Sequence, residues 1–306
     1  MAINTLEMAK IFQQELDKQM LTAGTSGWME ANASNVKYNG GDTVRMPSIS
    51  TTGLAKYDRD NGFNQGAVTL AYKDYTLTQD RGRTFHLDSM DVDESNFIAA
   101  AGNVVGEFQR LQVAPEIDAY RYSKIAALAK GASHESAAFT PTKDNILGKL
   151  DEEITKLQDI IGEDEPLVLI MATPVRTILN GAKDVTRYLD VADFKAGAVN
   201  TKVRTYNEIP ILSVPSARMK TAYIFADGKT TGQEAGGFKA DTGAKAINWI
   251  LMARRAPIAI SKTDKVRIFE PDTNQKADAW KLDYRKFHDL WIPSNKLAGV
   301  WVNTGA

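Results

Sequence analysis

The chain's only imidazoles are His86, His134 and His288, and no two of them stand at His-x-x-x-His spacing. There is no cysteine. A standard zinc site therefore lacks a ligand set, and disulfides and thiolate nucleophiles are excluded. Each lone histidine reads as a packed or solvated structural residue. Neither a Gly-x-x-x-x-Gly-Lys nor a Gly-x-Gly-x-x-Gly run occurs, so nucleotide phosphates have no visible cradle. Paired acids such as Asp151 with Glu152, or Glu163 with Glu165, do not single out a proton donor and a base. No Gly-x-Ser-x-Gly elbow is present. Asp58-Arg-Asp-Asn-Gly62 and Asp91-Val-Asp-Glu94 resemble fragments of calcium loops, but the first lacks the closing glutamate and the second the central glycine. They read as a polar turn and as a helix N-terminus whose carboxylates suit the macrodipole. The basic, aromatic stretch Trp280 to His288 has the alternation of a half-buried strand, which is favoured over a nucleic-acid groove. No catalytic residue, cofactor or metal is assigned.

The elements that would carry any such residues follow from composition and periodicity. With 306 residues, 43% of them hydrophobic, the chain has the means to bury a large core. A formal charge of −1 gives no global field toward nucleic acid or anionic lipid. The absence of cysteine fits folding in a reducing cytosol. No signal peptide is visible after Met1-Ala-Ile-Asn4, and no apolar run is long enough to span a bilayer.

Leu6, Ala9, Phe12, Leu16 and Met20 recur at helical spacing behind an Asn4/Glu7 capping pair, predicting an amphipathic helix over about 5–21. Val44 and Met46, then Val68, Leu70 and Tyr72, then Phe85 and Leu87 alternate as strands. Between the first two lies the polar, glycine-rich run Thr51 to Gly66, predicting a long hairpin that projects from the body and gains stability by lying on something else. From Asp93 to about Lys130 the period is helical, with Pro115 expected to kink or divide the run. Residues 140–260 read as α/β: a helix over Ile146 to Ile161, a doubly buried strand over Pro166 to Met171, and a helix capped by Thr173. Strands are expected at Ile209 to Val214, Tyr223 to Phe225 and Ile247 to Met252, with a mobile loop among the glycines from Gly228 to Gly243. Val266 to Phe269 and Ala279 to Val302 have strand composition.

Several runs, in this order, resemble tailed-bacteriophage major capsid proteins. They are Lys56-Tyr-Asp-Arg-Asp-Asn-Gly62, Gln65-Gly-Ala-Val-Thr-Leu70, Thr78-Gln-Asp-Arg-Gly-Arg83, Leu87-Asp-Ser-Met-Asp-Val-Asp-Glu94, Pro115-Glu-Ile-Asp-Ala-Tyr-Arg121 and Asp283-Tyr-Arg-Lys-Phe-His-Asp-Leu-Trp291. The resemblance implies an α+β fold of the Hong Kong 97 type. Its expected divisions are an N-terminal arm (1–35), an E-loop with flanking strands (36–90), a peripheral domain with a spine helix (91–139), an axial α/β domain (140–262) and returning peripheral strands (263–306). It implies a non-enzymatic shell subunit that forms hexamers and pentamers around double-stranded DNA, in a virion assembled in the host cytoplasm. Further implied partners are a portal protein and, since the arm helix begins near Met1, a separate scaffolding protein. No membrane is involved. Lys56, Asp58, Arg59, Asp60, Arg81 and Arg83 are the expected inter-subunit contacts. Some family members crosslink an E-loop lysine to a neighbour's asparagine. Lys56 lies in the matching loop, but no asparagine or assisting acid matches, so that chemistry is not carried over. An encapsulin-type compartment and a small α/β enzyme remain as alternatives.

Overall fold

The computed structural model describes residues 24–35, 41–60, 62–88, 104–182, 189–196, 199–274 and 277–306. The expected arm helix at 5–21, its Asn4/Glu7 cap, the start of the helix at Asp93 and the acidic run Asp91 to Glu94 lie outside these residues.

Most of the apolar residues collect around one mixed sheet. Its strands β4 (Glu135–Ser136), β5 (Leu167–Ala172), β6 (Leu189–Ala196), β7 (Val199–Tyr206), β8 (Ile209–Val214), β11 (Ile247–Ala253) and β14 (Val300–Thr304) lie in the order β4-β14-β11-β5-β8-β7-β6. β5 and β11 are buried along their whole length, which explains their unbroken apolar composition. Helices α2 (Ile146–Ile161) and α3 (Thr173–Asn180) add Ile146, Leu150, Ile154, Leu157, Val175 and Leu179 to the same core. Thr173 does not cap α3. It is the first helical residue, and its hydroxyl donates to the Val214 carbonyl at 3.0 Å, joining the helix start to β8.

A second, smaller sheet takes the order β12-β13-β3, from β12 (Ile258–Phe269), β13 (Ala279–Trp291) and β3 (Gln79–Asp88). β14 belongs to the large sheet and not to this one, because its five residues pair with β11 and, in parallel, with β4. A long helix, α1 (104–131), runs past the smaller sheet. Pro115 does not divide it. One turn upstream the helix widens into a π turn at Gln109–Val113, with the Ala114 N–H reaching the Gln109 carbonyl. Shifting the bonding pattern by one residue accommodates the N–H that proline lacks. Phe108 on this helix sits edge-on to Phe85 and Tyr284 of the sheet, with ring centroids 4.9 and 5.8 Å away.

The remaining pairs are hairpins. β1 (Thr43–Thr51) and β2 (Val68–Thr76) pair with each other alone, in register from Thr43↔Thr76 to Thr51↔Val68. β9 (Tyr223–Phe225) pairs only with β10 (Phe238–Ala240). The glycines of the latter loop lie in hydrogen-bonded turns. Gly228, Gly232, Gly236 and Gly237 all take positive φ, and Asp227 accepts the Lys229 and Thr230 amides at 2.8 Å. The Thr230 hydroxyl, which donates to the other carboxylate oxygen at 2.7 Å, and these amides hold the carboxyl down at about 2.

Candidate assembly interface

The β1–β2 hairpin changes character along its length. At its root, Val44 and Met46 are buried with Leu77, Ile258, Ile260 and Trp291. Beyond the root there is no core. Strand alternation then sorts the two faces. Ser50 and Ala71 lie on the side of Val44 and Met46, with the paired Thr69; Pro47, Ile49, Thr51, Val68, Leu70 and Tyr72 share the other. The second face is apolar and open to solvent: Val68 is 72% exposed, Tyr72 64%, Ile49 63%. At the tip, Tyr57 and Phe63 pack edge-on to each other at 5.0 Å, and Phe63 is still 90% exposed. Among the described residues, seven of the ten exposed large hydrophobics lie on this one hairpin. A two-stranded ribbon gains little from its own contacts, and a contiguous exposed apolar patch marks a surface built to be covered.

Four of the six expected contact residues come together here. Lys56, Asp58, Arg59 and Asp60 are all exposed at the tip. Asp58 makes reciprocal backbone bonds with Gly62, and its carboxylate accepts the Asp60 amide at 2.9 Å. That is an aspartate-stabilised turn, the arrangement expected for this run. The Asn64 side chain donates to the Lys56 carbonyl at 2.7 Å, closing the tip.

Arg81 and Arg83 stand elsewhere, on β3. Arg81 grips Glu116 of α1 through two bonds of 2.7 and 3.2 Å, and reaches the carbonyls of Ala226 and Gly237 at 2.7 and 3.3 Å. It thus fastens both ends of the β9–β10 loop to the helix. Arg83 is exposed, with a long 3.4 Å bond to the Glu234 carbonyl. Between them only glycine fits, because a Cβ on Gly82 would lie 2.8 Å from the Tyr284 carbonyl oxygen. The motif Arg-Gly-Arg is therefore a loop clasp with a close strand approach at its centre.

The histidines are structural in placement. His288 is buried against the Tyr120 ring, and burial together with the charges of Arg121, Lys286, Lys124 and Arg81 pushes its pKa well below the usual imidazole value. His134 stacks on Trp301, and its Nδ1 lies 3.1 Å from the Leu297 carbonyl. Beside His288, the fully buried Asp289 accepts Thr78 at 3.0 and 2.9 Å, Tyr120 at 2.7 Å, and Lys124. Trp280 to His288 is indeed a half-buried strand, with Leu282, Tyr284, Lys286 and His288 inward. Among the described residues no group of three or more His, Asp or Glu side chains converges as a metal site would require.

Sequence reasoning missed the polar seam between α1 and the segment before the 3-10 helix Gly27–Asn35. Asp118 and Arg121, both 1% exposed, lie three residues apart on the face of α1 that meets Thr25 and Ser26. The signal was present as a charged pair inside an apolar helical period, but nothing in the sequence said which neighbour it faced.

No family model and no curated protein matches the chain. Solved structures do. A chain of the bacteriophage PhiM1 mature capsid aligns with TM-score 0.58 at 13% identity, covering 88% of this chain and 83% of that one. Chains from Mycobacterium phage Cain (0.57, 10%, covering 91% and 90%) and Gordonia phage Cozz (0.55, 15%, covering 86% and 81%) align comparably. At such identities the likeness establishes the fold: a mixed α+β architecture with a long helix, of the Hong Kong 97 capsid type.

Proposed function

We propose that this chain is the shell-building subunit of a tailed-phage capsid. The observation that carries the reading is the bare hairpin. A chain with the fold of a capsid protein presents, beyond its own core, an apolar ribbon that nothing among the described residues covers. In a solitary enzyme this would be a liability; in a head-to-tail assembly it is the contact. The hairpin is the E-loop and lies on a neighbouring copy, with Lys56, Asp58, Arg59 and Asp60 supplying both charge signs for register. Arg83 adds a rim charge, while Arg81 shapes the surface by holding the β9–β10 loop. α1 is the spine, the large sheet with α2 and α3 is the axial domain, and the three-stranded sheet belongs to the peripheral domain. Copies form hexamers and pentamers, assembled in the host cytoplasm with a separate scaffolding protein and a portal, and DNA is enclosed without sequence recognition. The near-neutral charge supports this, since a strongly basic lining would bind its cargo electrostatically.

Electron microscopy of the purified protein, alone and after co-expression with candidate scaffolding proteins, tests the reading. Closed shells, tubes or curved sheets are expected. Small discrete particles under every condition would overturn it, and shells that enclose an enzyme in place of DNA would assign the chain to the encapsulin type.

A further inference from the structure

A dense polar contact lies where residues 1–23 join the body, and no chemistry accounts for it. The Asp118 carboxylate, on α1, is buried and accepts four bonds from two consecutive residues. Oδ2 takes the Thr25 amide and hydroxyl at 2.9 and 2.8 Å, and Oδ1 takes the Ser26 amide and hydroxyl at 3.0 and 2.6 Å. One turn along the same helix face, Arg121 donates to the Ser26 carbonyl at 3.0 Å and pairs with Glu30, while the Tyr122 hydroxyl lies 2.8 Å from the Thr25 hydroxyl. A third element enters through Arg218, whose Nη1 reaches Asp118 Oδ2 at 3.0 Å. Arg218 closes the short turn Ser216–Arg218 that follows β8 of the large sheet.

Holding a loop to a helix takes one or two bonds. Here a buried charge is surrounded by five donors, and its desolvation is offset only while all three elements keep their places. We propose that Asp118 is a positioning residue for assembly. It fixes Thr25 and Ser26, where the chain enters the body, and through Arg218 it makes that junction depend on the placement of the large sheet against α1. The assembly role rests on the shell-subunit reading; the three-way coupling does not.

Hydrogen exchange of the Thr25 and Ser26 amides, read by NMR or fragment mass spectrometry, reports the latch directly. Asp118→Asn keeps the shape but presents an NH2 to donors, and Arg218→Gln removes only the third element. Loss of a charged hydrogen bond corresponds to roughly tenfold faster exchange or more. Both variants are expected to show it, with amides of β5 and β11 unchanged. Unchanged exchange at Thr25 and Ser26 in Arg218→Gln would overturn the coupling. If Asp118→Asn fails to fold, Ser26→Ala, which removes one donor, takes its place in the assembly arm. Shell formation is then scored beside wild type: the latch variants are expected to give aberrant or no closed shells despite an intact core. Normal shells with a loosened latch would overturn the positioning role, whereas wild type that forms no shells would sink the shell-subunit reading and leave the coupling result standing.

Discussion

The large sheet and the β1–β2 hairpin are both built from apolar strands, yet the same residue types do opposite things in them. Leu169, Ile170 and Trp249 are fully buried by strands on either side and by helices above. Leu70, Tyr72 and Val68 have one partner strand and, among the described residues, no layer against them. In the sheet, apolar surface is buried within the chain; in the hairpin it is open to solvent among the described residues. What distinguishes the two regions is the number of layers, and the strand sequences follow it: β5 and β11 are apolar without a break, whereas β2 mixes apolar with polar residues.

The widest separation between the regions should come from cutting each. Replacing Thr51 to Gly66 by an Asn-Gly turn is expected to abolish assembly while leaving the monomer's unfolding midpoint nearly unchanged, because the excised stretch contributes no core. Normal closed shells from the shortened protein, seen by microscopy, would break the comparison. Protease sensitivity of this loop in the free subunit, and protection in the shell, sharpens it. Next come single truncations. Trp249→Ala should cost about 3–5 kcal/mol in denaturant unfolding, since it empties a fully buried site and takes from the buried Glu153 one of its two donors, the indole N–H at 2.6 Å, leaving Asn303 at 2.8 Å. Leu70→Ala should lie within about 0.5 kcal/mol of wild type in the same assay, yet weaken assembly.

A smaller effect concerns pH. Burial and surrounding cations depress the folded-state pKa of His288, so below about 6.5 the unfolded chain binds a proton that the folded chain refuses. Stability should therefore fall as pH drops below 6.5, with a slope from this group of at most about 1.4 kcal/mol per pH unit. His288→Asn should flatten that slope; an unchanged profile would contradict the burial. Glu30 gives the smallest effect. Burial raises its pKa, but Arg121 and Lys286 more than compensate, leaving it below the usual 4.5. Its contribution is present above 4.5 and lost as pH falls through the lowered value, so exchange along Gly27–Asn35 should rise only in that acid range.

Much of this was legible beforehand. The helix Ile146–Ile161, the strands Ile209–Val214 and Tyr223–Phe225, and the projecting hairpin were readable because periodicity and turn residues act locally. The Thr173 cap failed because the helix begins one residue earlier, with Ala172 in the capping position, and the Thr173 hydroxyl instead ties the helix start to the Val214 carbonyl, forty-one residues away in sequence. Of the kink or division expected at Pro115, the division did not occur, because a π turn one turn upstream shifts the bonding pattern. Arg81 and Arg83 were expected as inter-subunit contacts, and their place against the β9–β10 loop depends on residues some 145 positions later in the chain.

By itself the sequence determined many of the helices and strands, though not β6 and β7, that the chain carries no thiol, and that one polar, glycine-rich loop would stand away from the core. Those are properties of composition and short-range spacing. Only the tertiary structure decided which apolar strands are covered, which arginines are spent inside the chain, and that Asp118 binds three segments at once. Burial and hydrogen-bond partners depend on contacts between residues distant in sequence, and no local pattern encodes them.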